Sequence, residues 1–511
     1  MVPSLLARSK SCLSTHGVQM KCQWSWKRLR CLPPLPPPAP PPEYSILFHL
    51  ALLFIAVALL LVTRNRPPGL FRTLFRLVFC RGQRRAGRIT GIQFPIHAGQ
   101  LTPQILTEML HRAGHLNAMT TVTTVSDRLA VIRDGVKGDK AIIDVTYSNP
   151  TNLPTTFFVK FGIGKLSAMR LLCACSEVHE CEALYYHHLA KDCPLPTPKC
   201  YFVDYHEVSG EFCLLSEHIP FGDGPYLPLK HRVRDAPSID EQRRFAVEGA
   251  TLHCAFWGDT ALQRGCRRKD ETYRRAWVLM QVLSSLGLKQ TVKRIFKGRV
   301  TTTPFATWRA PADLVGKEMR LILDMPAILT SLCEEVEMTA FGHNDIVTDN
   351  AYFERSPLIG KQPFGLFDWQ QSCVNSIGQE WAWNWHFLPP EFLTKHEDEL
   401  ISLVLATYAK NGKHVTREDF VRHYVLGCAQ MYCFSGGGLQ ALMGRLDKAG
   451  LLNGLEPDDD RCRDGSLAHD GALNELMVGA EMSRRAFTNV CNIMERHKFG
   501  EEWERWRARR Q

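Results

Sequence analysis

The stretch "FGHNDIVTDNAYF", Phe341 to Phe353, gathers a histidine, two aspartates and two asparagines between aromatic and apolar flanks. Soon after, "FGLFDWQ" ends an apolar run on Asp368. A carboxylate can take the proton of an attacking hydroxyl, and carboxylate and carboxamide oxygens suit a hard cation such as Mg²⁺. Asp345, Asn350 and Asp368 are therefore the residues to follow. An isolated D-x-x-x-x-N is more often a turn than a site, so the spacing needs partners elsewhere in the chain.

Candidates stand in order upstream. "TTFFVKF" reads as a strand with Lys160 near its end, and "EALYYHHL" opens with Glu182 on the helix that follows. Glu177 and Glu180 are rivals on the same helix. "FCLLSEHI" reads as a later strand, with Glu217 and Ile219 at its exit. Gly135 and Gly138 flank "VK" in a hairpin turn before Lys160. A two-glycine loop is common by chance.

The order of strand lysine, helix glutamate, exit strand, H-x-D-x-x-x-x-N and D-W resembles the protein-kinase-like phosphotransferases. Asn344 replaces the arginine of H-R-D, Trp369 replaces the phenylalanine of D-F-G, and no A-P-E segment follows. The pattern is more similar to the aminoglycoside phosphotransferase and choline kinase group. Within that group, "ATLHCAFWGD" (Ala250 to Asp259), "FDWQ" and "TYAKNGKHVTREDFVRHYVLGC" resemble the ecdysteroid-kinase-like (CHK-kinase-like) family. The resemblance covers about residues 105–440.

It implies ATP and Mg²⁺ as cofactors and a hydroxyl of a small molecule as acceptor. It would place Lys160 on the nucleotide phosphates with Glu182 as its ion-pair partner. Glu217 and Ile219 would lie near the adenine, and Gly135 and Gly138 over the nucleotide. Asp345 would be the catalytic base, Asn350 and Asp368 would hold Mg²⁺, and His343 would brace the loop. The competing class is an inactive kinase-like binding or scaffold protein at a membrane. Three departures stand out. Asn344 and Cys254 occupy positions where the family usually has glycine and alanine, and Glu380 in "EWA" stands where aspartate is usual.

The implied fold is α+β and bilobal, a small β-sheet lobe (100–220) followed by a larger helical lobe (221–440) and a helical extension (441–511). The sequence supports it locally. "LTPQILTEMLHRAG" reads as a helix capped by Thr102, with Pro103 in its first turn and Gly114 at its end. "RLAVIRDGVKGDKAIIDVTYS" reads as a hairpin, and "KCYFVDYHEVSGEFCLLSEHI" as two strands about Ser209-Gly210. From Ser238 the chain turns helical, with Ser238 and Glu241 in capping-box spacing. Further helices are predicted near 275–297, 313–335, 393–411, 416–434 and 471–497. His253 and Trp257 share a helical face and read as core packing.

The chain has 511 residues and a net charge of +10. Residues 1–107 hold 14 Lys and Arg against Glu43 alone, so the remaining chain is nearly neutral. That argues against nucleic acid as a partner. Eighteen cysteines include no C-x-x-C pair, which suits reduced thiols rather than a zinc framework. Residues 1–43 are basic and then proline-rich, and read as disordered. Residues 44–62, "YSILFHLALLFIAVALLLV", are long enough for one transmembrane helix, and 63–99 form a basic juxtamembrane linker. The arginines after the span place the kinase-like body in the cytosol by the positive-inside rule. An organelle-targeting segment is the alternative. A membrane tether would suit a lipophilic or steroid-like alcohol as substrate.

Overall fold

The computed structural model describes residues 86–128, 139–163, 173, 176–206, 209–221, 227–231, 238–272, 311–353, 364–448 and 471–510. The 44–62 span, Gly135, Gly138 and the helix expected near 275–297 lie outside the described residues. Among the described residues no helix is long and apolar enough to cross a membrane.

The N-terminal part is built on alternation. Strands β1 (Val122–Arg128), β2 (Lys140–Tyr147), β3 (Thr156–Phe161), β4 (Cys200–His206) and β5 (Glu211–Glu217) form an antiparallel sheet in the order β1-β2-β3-β5-β4. Successive side chains point to opposite faces. Ile143, Val145, Phe157, Val159, Phe161, Cys213 and Leu215 therefore share one core with Leu106, Met109 and Leu110 of helix α1 (Pro103–Arg112). Thr102 caps α1 by accepting from the Ile105 N–H, and Gly114 follows in the left-handed region at φ +77°. Phe212 and Leu214, on the other face, pack with Ala183 and Leu184 of helix α2 (Val178–His188). That face also carries Lys160.

The C-terminal part is mainly helical. It comprises α3 (Ile239–Ala255), α4 (Glu318–Glu334), α5 (Ile377–Trp385), α6 (Pro390–Lys410), α7 (Arg417–Lys448), α8 (Gly471–Arg496) and α9 (Phe499–Ala508). Trp381, Trp385, Tyr408, Tyr424, Tyr432, Phe487 and Trp503 belong to its larger core. A helix passes straight through residue 440, where the sequence suggested a boundary. Beyond it, Trp503 Nε1 donates to Asp324 (3.0 Å) and Trp506 Nε1 to Ser331 (2.8 Å), which fastens α9 onto α4.

The capping box expected at α3 does not form. Ser238 stands at the N-cap position without a side-chain bond. Glu241 instead meets His231 Nε2 at 2.8 Å, a side-chain partner that takes its carboxylate away from the helix end.

Two short two-stranded sheets inside the helical part position the loops that matter. β6 (Thr339–Gly342) pairs with β9 (Cys373–Ser376), and β7 (Ala351–Phe353) with β8 (Phe364–Leu366). Residues 343–350 bridge β6 to β7, and 367–372 bridge β8 to β9. Both motif loops are thus pinned at both ends. Strands of three or four residues carry too little period-2 signal to be read from sequence.

Candidate active site

Lys160 is the meeting point of the two parts. Strand β3 presents it toward α2, and its Nζ lies 2.8 Å from Glu182 and 2.7 Å from Asp368. Its side chain is almost wholly buried. Burial alone would lower an ammonium's pKa, but the two carboxylates outweigh it and hold Lys160 above its usual value. Of the three glutamates on or beside α2, only Glu182 meets this lysine. Glu180 is held by Arg267, whose Nε donates at 3.0 Å. Glu177 sits in left-handed backbone just ahead of the helix.

Asp345 and Asn350 occupy the loop after β6. Asn350 Nδ2 donates to the Asp345 backbone carbonyl (3.0 Å) and to Asp345 Oδ2 (3.1 Å). Asp345 Oδ1 accepts from Trp383 Nε1 at 3.0 Å. The Asp345 carboxylate is therefore oriented by an indole on one oxygen and a carboxamide on the other. Across the β7–β8 hairpin, the Phe367 N–H donates to the Asn350 carbonyl (3.1 Å), which brings Asn350 beside the segment carrying Asp368. His343 is fully buried, and its Nε2 bonds the Phe367 carbonyl at 3.0 Å. Burial lowers its pKa, so a neutral ring ties one loop to the other.

Asn344 takes a left-handed conformation at φ +56°. Asparagine tolerates that region better than most residues. Here its backbone N–H and its side-chain amide are all used. Its N–H donates to Glu380 Oε1 (2.8 Å), its Nδ2 to the Gly342 and Cys373 carbonyls (3.1 and 3.0 Å), and its Oδ1 accepts from Asn375 (2.6 Å). Glu380 in turn contacts His253 Nε2 at 2.9 Å, and His253 Nδ1 meets the Tyr408 hydroxyl at 2.7 Å. Desolvation would raise the Glu380 carboxyl, but His253 and the Asn344 N–H hold it below its usual value. His253 is therefore more than core packing: it anchors the carboxylate that fixes the motif loop. A Cβ on Gly342 would fall 1.7 Å from Glu380 Oε2, so this close approach requires glycine.

The remaining expected residues are placed less centrally. Glu217 is exposed, and its carboxylate accepts from the Lys199 N–H (3.2 Å). Ile219 follows at the exit of β5 and is half-buried. Just beyond, the Phe221 ring lies 5.6 Å from that of Phe367, so this connection runs alongside the Asp368 segment. The Lys230 ammonium stands 4.9 Å from the Phe367 ring centre.

The donor atoms suit Mg²⁺. The Asn350 nitrogen is engaged by Asp345, which leaves its carboxamide oxygen as the atom that could serve a metal, and Asp368 would add carboxylate oxygens. Among the described residues no group of three or more His, Cys, Asp and Glu forms a metal cage. A cation held here would complete its shell with phosphate oxygens and water, as Mg²⁺ does.

Asp349, beside Asn350, was not singled out by the sequence. Its Oδ1 is buried without a hydrogen-bond partner, and its pKa is pushed up to about 6 by burial and by nearby Asp345. A carboxyl raised on folding favours the folded state in its protonated form, and that contribution is lost as pH rises through the folded value. Asp349→Asn should therefore stabilise the nucleotide-free protein above pH 6, by on the order of 1–3 kcal/mol. The gain should fade toward pH 4, as followed by thermal unfolding across pH. A gain that does not vary with pH would exclude this cause.

No family model matches the chain, and no curated protein matches it in sequence. Solved structures do. An aminoglycoside 2'-phosphotransferase-IIIa in complex with GDP is 13% identical, with 69% of this chain and 97% of that one covered and a TM-score of 0.34. A microcompartment-associated aminopropanol kinase is 11% identical, covering 68% and 99%, with a TM-score of 0.34. A macrolide 2'-phosphotransferase from Brachybacterium faecium is 12% identical, covering 74% and 97%, with a TM-score of 0.31. At these values the likenesses carry no weight in the functional reading, which rests on the geometry around Lys160 and Asp345.

Proposed function

We propose that this protein is an ATP-dependent phosphotransferase that phosphorylates a hydroxyl of a small molecule. The observation that carries the reading is Lys160, held at once by Glu182 and Asp368 beside a loop that orients Asp345 and Asn350. Phosphoryl transfer needs positioning and charge neutralisation more than covalent chemistry. Lys160 would bind the donor's phosphates, with Glu182 keeping its ammonium in place. Asp345 would accept the acceptor hydroxyl's proton as the new oxygen–phosphorus bond forms and the bond to ADP breaks. Mg²⁺, held by Asn350 and Asp368, would neutralise phosphate charge. His343, Asn344, Glu380 and His253 would keep the two loops in register. Titration of the full-length protein with ATP should show binding that Mg²⁺ strengthens. Absence of binding in both conditions would favour the inactive kinase-like shell.

The substrate class follows from a separate proposal about place. The apolar 44–62 segment, followed by Arg64, Arg66, Arg72 and Arg76, supports one membrane span with the catalytic body on the cytosolic side. A lipophilic, steroid-like alcohol would suit an enzyme tethered there. Protease treatment of sealed vesicles should digest the body from the cytosolic face. A body shielded in the lumen, or a chain washed off by alkaline carbonate, would contradict the tether.

A further inference from the structure

Lys140 opens strand β2, two residues after Gly138 in the sequence. In the β2–β3 register it stands directly opposite Lys160. Directly paired residues on antiparallel strands face the same side of the sheet, so both lysines lie on the face that meets Glu182 and Asp368. Like charges placed opposite each other destabilise a sheet unless anions separate them. Lys140 is half-buried and lies within electrostatic range of Lys160, Lys230, Asp368 and Glu182. Burial lowers its pKa. The carboxylates of Asp368 and Glu182 thus serve a group of cations, and Asp368 is also the residue a metal would draw on.

A polyphosphate is the anion that such a group of lysines fits. In the sequence, residues 129–139 hold only two glycines, few for gripping phosphates through backbone amides. We propose that Lys140 is a second phosphate-binding cation, forming with Lys160 a cross-strand clamp on the polyphosphate of the donor nucleotide. This rests on the phosphotransferase reading of the cleft. In it, the side chain at the start of β2 supplies grip on the phosphates.

The test is titration of the full-length protein with ADP and with adenosine, for wild type, Lys140→Met, Lys140→Arg and Lys160→Met. Lys140→Met should weaken ADP roughly tenfold or more, the scale of a charge-assisted hydrogen bond, and leave adenosine unchanged. Lys140→Arg should keep most of the ADP affinity. If Lys140→Met binds ADP as wild type does while Lys160→Met is weakened, the clamp is wrong and the phosphotransferase reading stands. Equal losses for ADP and adenosine would also overturn the clamp, because they mark a structural role. A wild type that binds neither ligand would overturn the underlying reading and the clamp with it.

Discussion

Asp345→Asn is expected to lower phosphoryl transfer by at least roughly a hundredfold, the lower scale for loss of a general base. A modest loss of stability, on the order of 1 kcal/mol, should accompany it. The Asn oxygen can still accept from Trp383 Nε1, which is 3.0 Å from Asp345 Oδ1, but its NH2 then replaces the oxygen that accepts from Asn350 Nδ2. The amide can no longer take a proton from the acceptor hydroxyl. Nucleotide affinity should largely persist, because Lys160, Glu182 and Asp368 are untouched and Asn350 keeps its bond to the backbone carbonyl of residue 345. The comparison is therefore turnover against ATP affinity in the same preparation. Unchanged turnover would remove Asp345 from the role of base. A parallel collapse of ATP affinity and melting temperature would assign it a structural one.

Asp368→Ala should act differently. In the wild type Mg²⁺ should tighten ATP binding, because the cation neutralises phosphate charge and Asp368 helps hold it. The variant should bind ATP equally with and without Mg²⁺. Lys160 would keep Glu182 at 2.8 Å, so the buried ammonium would not be left uncompensated. Titrations with and without Mg²⁺ separate the cases. A variant that retains the full Mg²⁺ effect would exclude Asp368 as a ligand.

Much of this arrangement was legible in the sequence where a residue's neighbours are set by local period. Lys160 lies on a strand of clear alternation, and Glu182 on a helix whose start and end could be bracketed. The five strands of the large sheet and α1 with its Thr102 cap follow from similar local rules. The choice among Glu177, Glu180 and Glu182 depends on tertiary partners, because Arg267, which holds Glu180, comes from a distant segment. Trp383 and Lys140 were overlooked for the same reason. The Trp383 indole reaches Asp345 across 38 residues. Lys140 gains meaning only once the β2–β3 register sets it opposite Lys160. His253 shows the limit of helical period: the pattern put it in the core, but not against a buried carboxylate. Asn344 shows the converse. A departure from glycine is accommodated because Glu380, Cys373, Gly342 and Asn375 together satisfy a left-handed asparagine. The short strands β6 to β9 are set by pairing partners and carry no periodic signal of their own.

The central claim is transfer, and its most direct measurement uses ATP labelled on the γ-phosphate. Full-length wild type and Asp345→Asn are incubated with Mg²⁺ and deproteinised small-molecule extracts, aqueous and lipid fractions separately. A labelled phosphate ester, distinct from inorganic phosphate, should form with wild type and be at least roughly a hundredfold weaker with Asp345→Asn. A wild type that binds Mg²⁺ and ATP yet labels nothing in either fraction, or labels equally with the variant, would contradict a phosphotransferase built on Asp345.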